Sequence, residues 1–295
     1  MKIEHHTLSR NGLNWHVVTA GPKDAPPVLL LHCWAGNWTL WQTTLQRLSG
    51  RFRCIAPDHL GFGRSDKPRG DHYQISAQAE RAGFILNHFG YERAHILGHS
   101  MGGQIALTFA AQHPERVTRL IVVDPAVTGQ VHPLARPLLV FPALVRRGIE
   151  FPYRWTNMLG HRFPSMGIQL MRAFFPYPKR QREAALYWLG QMGADEQLNA
   201  SAWAIRAVVE GDVRMLLENI IAPTLAIWGM KDWLIPMEQC TLLEQKIADC
   251  RAVRIPDVGH FPMIEAFDAY MNEIERFLAT DPDHEDSIEG KRAEA

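Results

Sequence analysis

The chain has 295 residues, enough to bury a large core in one elaborated domain or two small ones. Its hydrophobic fraction of 46%, charged fraction of 21% and zero formal net charge give no general bias toward nucleic acid or an acidic membrane. No nucleic-acid motif and no run of 18 apolar residues occurs, so neither a nucleic-acid partner nor a membrane span is expected.

In chain order, Leu13 to Val18 reads as an early strand that ends at Ala20-Gly21-Pro22. Val28 to Leu31 is a short continuous apolar run, the pattern of a strand buried on both faces of a parallel sheet. Phe52 to Ala56 is a second, closed by Pro57-Asp58. Ile96-Leu97, Leu120 to Val123, Leu225 to Trp228 and Ala252 to Ile255 repeat the theme. Helical periodicity falls between them. Leu40 to Leu48 has apolar residues at 40, 41, 45 and 48, and Ala79 to Phe89 places Ala82, Ile85, Leu86 and Phe89 on one face. Met263 to Leu278 does the same with Ile264, Phe267, Ile274, Phe277 and Leu278. Alternating strands and helices predict an α/β fold with a mainly parallel sheet.

The alternation stops between Val127 and Ile221, where aromatics and prolines are frequent and no buried strand is evident. A helical insertion over the carboxyl ends of the strands is expected there. Residues 1–126 and 222–280 would then form the core and 127–221 a cap. From Arg136 to Arg182 the insertion holds nine arginines and lysines against one acid, Glu150. That suits a solvated helix face, or else a basic lid for anionic substrates. The apolar stretch Leu138 to Val145, ahead of Arg146-Arg147, fits cap core or shallow docking on a lipid surface. Residues 281–295 are acidic and poor in apolar side chains, so a disordered tail is expected.

Four cysteines (Cys33, Cys54, Cys240, Cys250) lie far apart without a C-x-x-C pair, which suits free thiols in a reducing compartment. Met1 to His6 lacks the apolar segment of a secretory signal, so a cytoplasmic location is expected. The sequence leaves the oligomeric state open.

The chemistry concentrates at Gly98-His99-Ser100-Met101-Gly102-Gly103, between an apolar run and a helical pattern (Gln104 to Ala110). Strand, tight turn and helix would push the Ser100 hydroxyl out of the backbone at a helix N-terminus. A serine hydroxyl is a weak nucleophile that needs a base, and the base needs an orienting group. Such partners come from the carboxyl ends of later strands. Two acids qualify: Asp232, after Trp228-Gly229, and Asp124, after Leu120 to Val123; Asp124 would otherwise cap the entry to the insertion. His260, after the last strand, fits as base, and the order serine, acid, histidine is that of hydrolases with this elbow. His99 is expected to point away from Ser100 and pack, and His32 to be structural. No metal or cofactor is called for.

Five ordered motifs resemble the α/β-hydrolase fold superfamily, of the type with a cap. They are His32-Cys33-Trp34-Ala35-Gly36, Asp58 to Ser65, Gly98 to Gly103, Gly229 to Pro236 and Gly259-His260. The resemblance implies an eight-stranded, mostly parallel sheet flanked by helices, with a helical cap inserted after the sixth strand. It also implies Ser100 as nucleophile, His260 as base and Asp232 as orienting acid, with Asp124 as the alternative acid. The oxyanion hole would be the amides of Trp34 and Met101. One departure stands out: the family usually has His-Gly where this chain has His32-Cys33, and glycine permits backbone angles that cysteine resists. Cys33 as a second nucleophile lacks an obvious base.

Relatives that open epoxides or remove halides use aspartate at the elbow, so Ser100 points to an acyl-enzyme. The expected activity is cleavage of a carboxylic ester, carboxylesterase- or lipase-like, on a small molecule with an apolar part. A C–C bond hydrolase of meta-cleavage type, a lactonase, an amidase, an acyltransferase and a perhydrolase share the triad. A ligand receptor on the same scaffold is the non-enzymatic alternative.

Overall fold

The structure, a computed structural model, describes residues 1–131, 187 and 195–279. The nine-base stretch, the apolar segment at 138–145 and the acidic tail therefore lie outside the described residues. Eight strands form one sheet: β1 (Ile3–Arg10), β2 (Leu13–Ala20), β3 (Pro27–Leu31), β4 (Arg53–Pro57), β5 (Ala94–His99), β6 (Val117–Val123), β7 (Thr224–Gly229) and β8 (Cys250–Ile255). Their spatial order is β1-β2-β4-β3-β5-β6-β7-β8. β1 and β2 are antiparallel additions, and from β4 to β8 every pairing is parallel. The expected eight-stranded, mostly parallel sheet is what forms.

The continuous apolar runs lie at the sheet's centre because helices cover both faces there. Val28, Leu29, Leu30, Ile121, Val122, Leu225 and Trp228 are fully buried. β8 differs. It is one of the two edge strands, only half-buried, with arginines 251 and 254 between its apolar residues. Seven strands are foreshadowed in the sequence and β1 is not, since Leu8 alone in it is buried. Its register, from Ile3 opposite Ala20 to Arg10 opposite Leu13, is set by Asn11-Gly12. Both turn residues have positive φ, 53° and 75°, as a two-residue hairpin turn requires.

The described helices are α1 (Gln42–Leu48), α2 (Ile75–His88), α3 (Met101–Gln112), α4 (Asp195–Glu210), α5 (Glu238–Lys246), α6 (Pro262–Glu265) and α7 (Phe267–Ala279). The periodic stretch from 263 to 278 is thus two helices, broken at Ala266 (φ −145°). Strand order reverses between β3 and β5, the neighbours of opposite growth direction. The crevice at their carboxyl ends is where open α/β sheets place ligands. The loop after β3 and the turn after β5 face each other across it.

Candidate active site

Ser100 stands alone between β5 and α3, at φ 55° and ψ −115°. Such a backbone is strained for a residue with a side chain and persists only where its surroundings impose it. They do so here. The Ser100 N–H donates to Val123 O (3.0 Å), and Ser100 O accepts from Gln104 N (3.0 Å) and Ala126 N (3.2 Å). The elbow's glycines are needed for close approach. A Cβ on Gly102 would sit against the backbone oxygens of Leu31 and His32, and one on Gly98 against Gly102 O. Met101 opens α3, whose first amides have no acceptor within the helix.

The loop after β3 is held from beneath. His32 is fully buried, its Nδ1–H donating to Cys33 O (2.8 Å) and its Nε2 accepting from His59 N (2.9 Å). Burial pushes the His32 imidazole down to about 4, so the ring is neutral and structural. The left-handed residue of this loop is Ala35 (φ 55°), and Cys33 is not left-handed. The substitution of cysteine for glycine therefore meets no conformational penalty of the kind foreseen. Cys33 is 2% exposed, and burial pushes its thiol up to about 12, which leaves it a small buried residue and not a nucleophile. The Trp34 indole N–H donates to Ser201 O in α4 (2.9 Å). Tyr187 OH pairs with Asn37, accepting from its N–H (3.2 Å) and donating to its carbonyl (3.3 Å).

Asp232, just after β7, accepts through Oδ1 from the amides of Leu234 (2.7 Å) and Ile235 (3.1 Å). Its Oδ2 accepts from His260 Nδ1 at 2.7 Å, and both side chains are buried. Asp124 ends β6 with φ 41° and is fully buried. Its Oδ1 accepts the Gly229 N–H (2.9 Å), so it ties the end of β6 to the end of β7. Burial, then the charge of Asp232, pushes the Asp124 carboxyl well above the usual carboxylate range. His99 packs on the rings of His260 and Phe261 and donates Nε2–H to His260 O (2.6 Å). Desolvation keeps it neutral.

Ser100, Met101, Trp34 and His260 line one cavity, together with Val131, Ile205, Val208, Leu234 and Ile235. Apart from Ser100 and His260 the described lining is apolar. Asp232 and Asp124 sit behind His260 and do not reach the cavity. Ligand atoms of His99, Asp124 and His260 lie within 4.8 Å of one another, a metal-like spacing. The donor set does not suit a cation: both imidazoles already engage protein partners, and an acid held in its neutral form is a poor ligand.

Residues 26–267 match the family described as alpha/beta hydrolase fold. The chain belongs to that family. It is similar to Lipase 1 of Psychrobacter immobilis, 29% identical over 255 residues, spanning 85% of this chain and 76% of the relative. Epoxide hydrolase 3 of Xenopus tropicalis is 29% identical over 268 residues, spanning 86% and 71%. The crystal structure of the enol-lactonase from Burkholderia xenovorans LB400 shares the fold, with TM-score 0.76 at 21% identity, covering 93% of this chain and 100% of that one. The protein is thus a hydrolase of the alpha/beta family, and no helix among its described residues is long and apolar enough to cross a membrane.

One residue of this alpha/beta hydrolase's site lay outside the sequence reading. Glu265 in α6 accepts from Gly259 N (2.8 Å) and Phe261 N (3.1 Å), clamping the two amides that flank His260. Its signal is faint: Pro262 marks a helix start after the histidine, and an acid follows in the first turn. Asp58 is the matching brace under the other loop. Burial alone would raise its carboxyl, but bonds from His16 Nδ1 and the amides of Arg64 and Trp38 hold it below the usual range.

Proposed function

We propose that this alpha/beta hydrolase is a serine esterase that cleaves a carboxylic ester through an acyl-enzyme. The observation that carries the reading is the 2.7 Å bond from His260 Nδ1 to Asp232 Oδ2. That bond places the proton of a neutral imidazole on Nδ1 and leaves Nε2 as the base. His260 and the strained Ser100, at the N-terminus of α3, line the same cavity.

In this mechanism Ser100 Oγ adds to the ester carbonyl while His260 Nε2 takes its proton. Asp232 stabilises the resulting imidazolium without becoming protonated. The amides of Met101 and Trp34 receive the oxyanion, each donor being worth about 3 kcal/mol in the transition state. Collapse of the tetrahedral adduct expels the alcohol, which takes the proton from His260. Water, deprotonated by His260, then releases the acid and restores Ser100. The apolar lining suits an apolar acyl or alcohol part. Opening an epoxide through an alkyl-enzyme ester requires a carboxylate nucleophile, and a hydroxyl stands at this elbow. The division into core (1–126 and 222–280) and cap (127–221) is part of the proposal.

A fluorophosphonate probe should label Ser100 alone. Ser100→Ala should lower turnover of p-nitrophenyl esters by about four to six orders of magnitude with an unchanged thermal midpoint. Substantial ester turnover by that variant would sink the mechanism. Faster turnover of a vinylogous diketone than of any ester would reassign the substrate class.

A further inference from the structure

A second acid lies directly behind the triad, and its surroundings say which of the two carries the charge. Asp124 is 0% exposed, and its left-handed backbone is fixed by the turn that leaves β6. One carboxyl oxygen, Oδ1, accepts the Gly229 amide. The other, Oδ2, is buried with no donor from the described residues aimed at it. The Asp232 side chain lies near enough to Asp124 to act on it through its charge and through a side-chain hydrogen bond. The Asp232 oxygens already accept from His260 Nδ1 and the amides of Leu234 and Ile235. Two carboxylates offer each other only lone pairs, so their oxygens come together only with a proton between them.

Among the described residues, the other titratable groups beside Asp124 are two histidines, Glu265 and Cys240. His99, from the end of β5, is neutral and gives its N–H to His260 O. Glu265, from α6, adds negative potential. Cys240, from α5, is a thiol pushed by burial up to about 12. His260, after β8, directs its N–H at Asp232. Of the two acids, Asp232 has the donors that stabilise an anion.

We propose that Asp124 holds a proton and donates it in a hydrogen bond to Asp232, so that the pair carries one negative charge and Asp124 positions the carboxylate that orients His260. The positioning role rests on the triad reading above. Its value is electrostatic as well as geometric. A second full charge here would hold the imidazolium too tightly and keep His260 protonated at a pH where the base must be neutral.

Two measurements test this. The infrared difference spectrum between wild type and Asp124→Asn at pH 8 should contain the C=O stretch of a protonated carboxylic acid, lost in the variant. Absence of that band overturns the proposal, whether or not the protein turns over an ester. In pH profiles of p-nitrophenyl ester hydrolysis, Asp124→Asn keeps an N–H donor and stays neutral. It should lose less than about tenfold in kcat and leave the acid limb of kcat/KM in place. Asp124→Leu, which removes the donor, should lose about tenfold to a hundredfold in kcat with KM unchanged. If Asp124 were charged in the wild type, the Asn variant would move the acid limb to lower pH by about one unit or more, and the proposal would fall. Should the Leu variant not fold, the infrared band and the Asn profile still decide. A wild type without esterase activity but with the band would remove the triad reading and leave the proton assigned.

Discussion

The substitution Asp232→Asn isolates the orienting bond. In the native site Oδ1 is committed to two amides, Leu234 N and Ile235 N, and Oδ2 to His260 Nδ1. An asparagine has one acceptor and one donor end and must choose. With its oxygen toward the two amides, its NH₂ group faces His260 Nδ1, which must then be the bare nitrogen. With the amide flipped, two buried N–H groups lose their acceptor and meet a donor, at about 1–3 kcal/mol each. The first orientation wins, and it moves the imidazole proton to Nε2, where a base for Ser100 is needed. In serine proteases the same wrong-tautomer effect lowers kcat by about 10⁴, or about 5 kcal/mol of transition-state stabilisation. Initial rates on a p-nitrophenyl ester at saturating substrate should show a loss of that order, with KM and the thermal midpoint near wild type. A variant that kept more than about a tenth of wild-type kcat would refute the tautomer argument.

Three further outcomes follow from other parts of the molecule. In Gly102→Ala the new methyl would press on the carbonyls of Leu31 and His32, both backbone, and should cost more than about 3 kcal/mol; a wild-type melting temperature would contradict the close packing of the elbow against the loop after β3. The Cys33 thiol, buried and pushed up to about 12, should resist iodoacetamide at pH 8 in the folded protein and react in denaturant; rapid native-state modification would refute its burial. His32 has a folded-state pKa of about 4 against an ordinary 6.5. Between those values only the unfolded chain holds its proton, so stability should fall as pH drops through that window, by up to about 3 kcal/mol. Denaturant midpoints at pH 7.5 and 4.5 measure this, and the fall should be smaller in His32→Gln. A wild type whose midpoint did not fall would show that His32 is not buried neutral.

What the sequence discloses here follows the strength of each physical signal. Fully buried parallel strands such as Leu120 to Val123 must be apolar throughout, so they stand out. β1 faces solvent along most of its length and carries no such stripe; the hairpin turn at Asn11-Gly12 was its only announcement. α5 is short and polar on its outer face, and it too passes unnoticed. Of the candidate site, Ser100, Asp232 and His260 stand out in the sequence because each follows a strand and precedes a helix. Glu265 is not, because a glutamate that accepts two backbone amides looks in sequence like any first-turn acid. A cysteine in a glycine's place is a conformational problem only where that place demands positive φ. The loop meets that demand at Ala35.

The bond from the Trp34 indole to Ser201 O bears on how the scaffold can be re-engineered. A residue of the loop after β3 takes its side-chain acceptor from α4, inside the segment that separates β6 from β7. Asn37, three residues further along the same loop, is bound by Tyr187 of that segment. A chimera that exchanged residues 127–221 wholesale for those of a relative would cut both anchors and leave the loop carrying Trp34 to settle elsewhere. Such a graft needs a carbonyl within reach of the indole and a hydroxyl opposite Asn37. Without them, a change of substrate preference and a loss of catalytic power would arrive together.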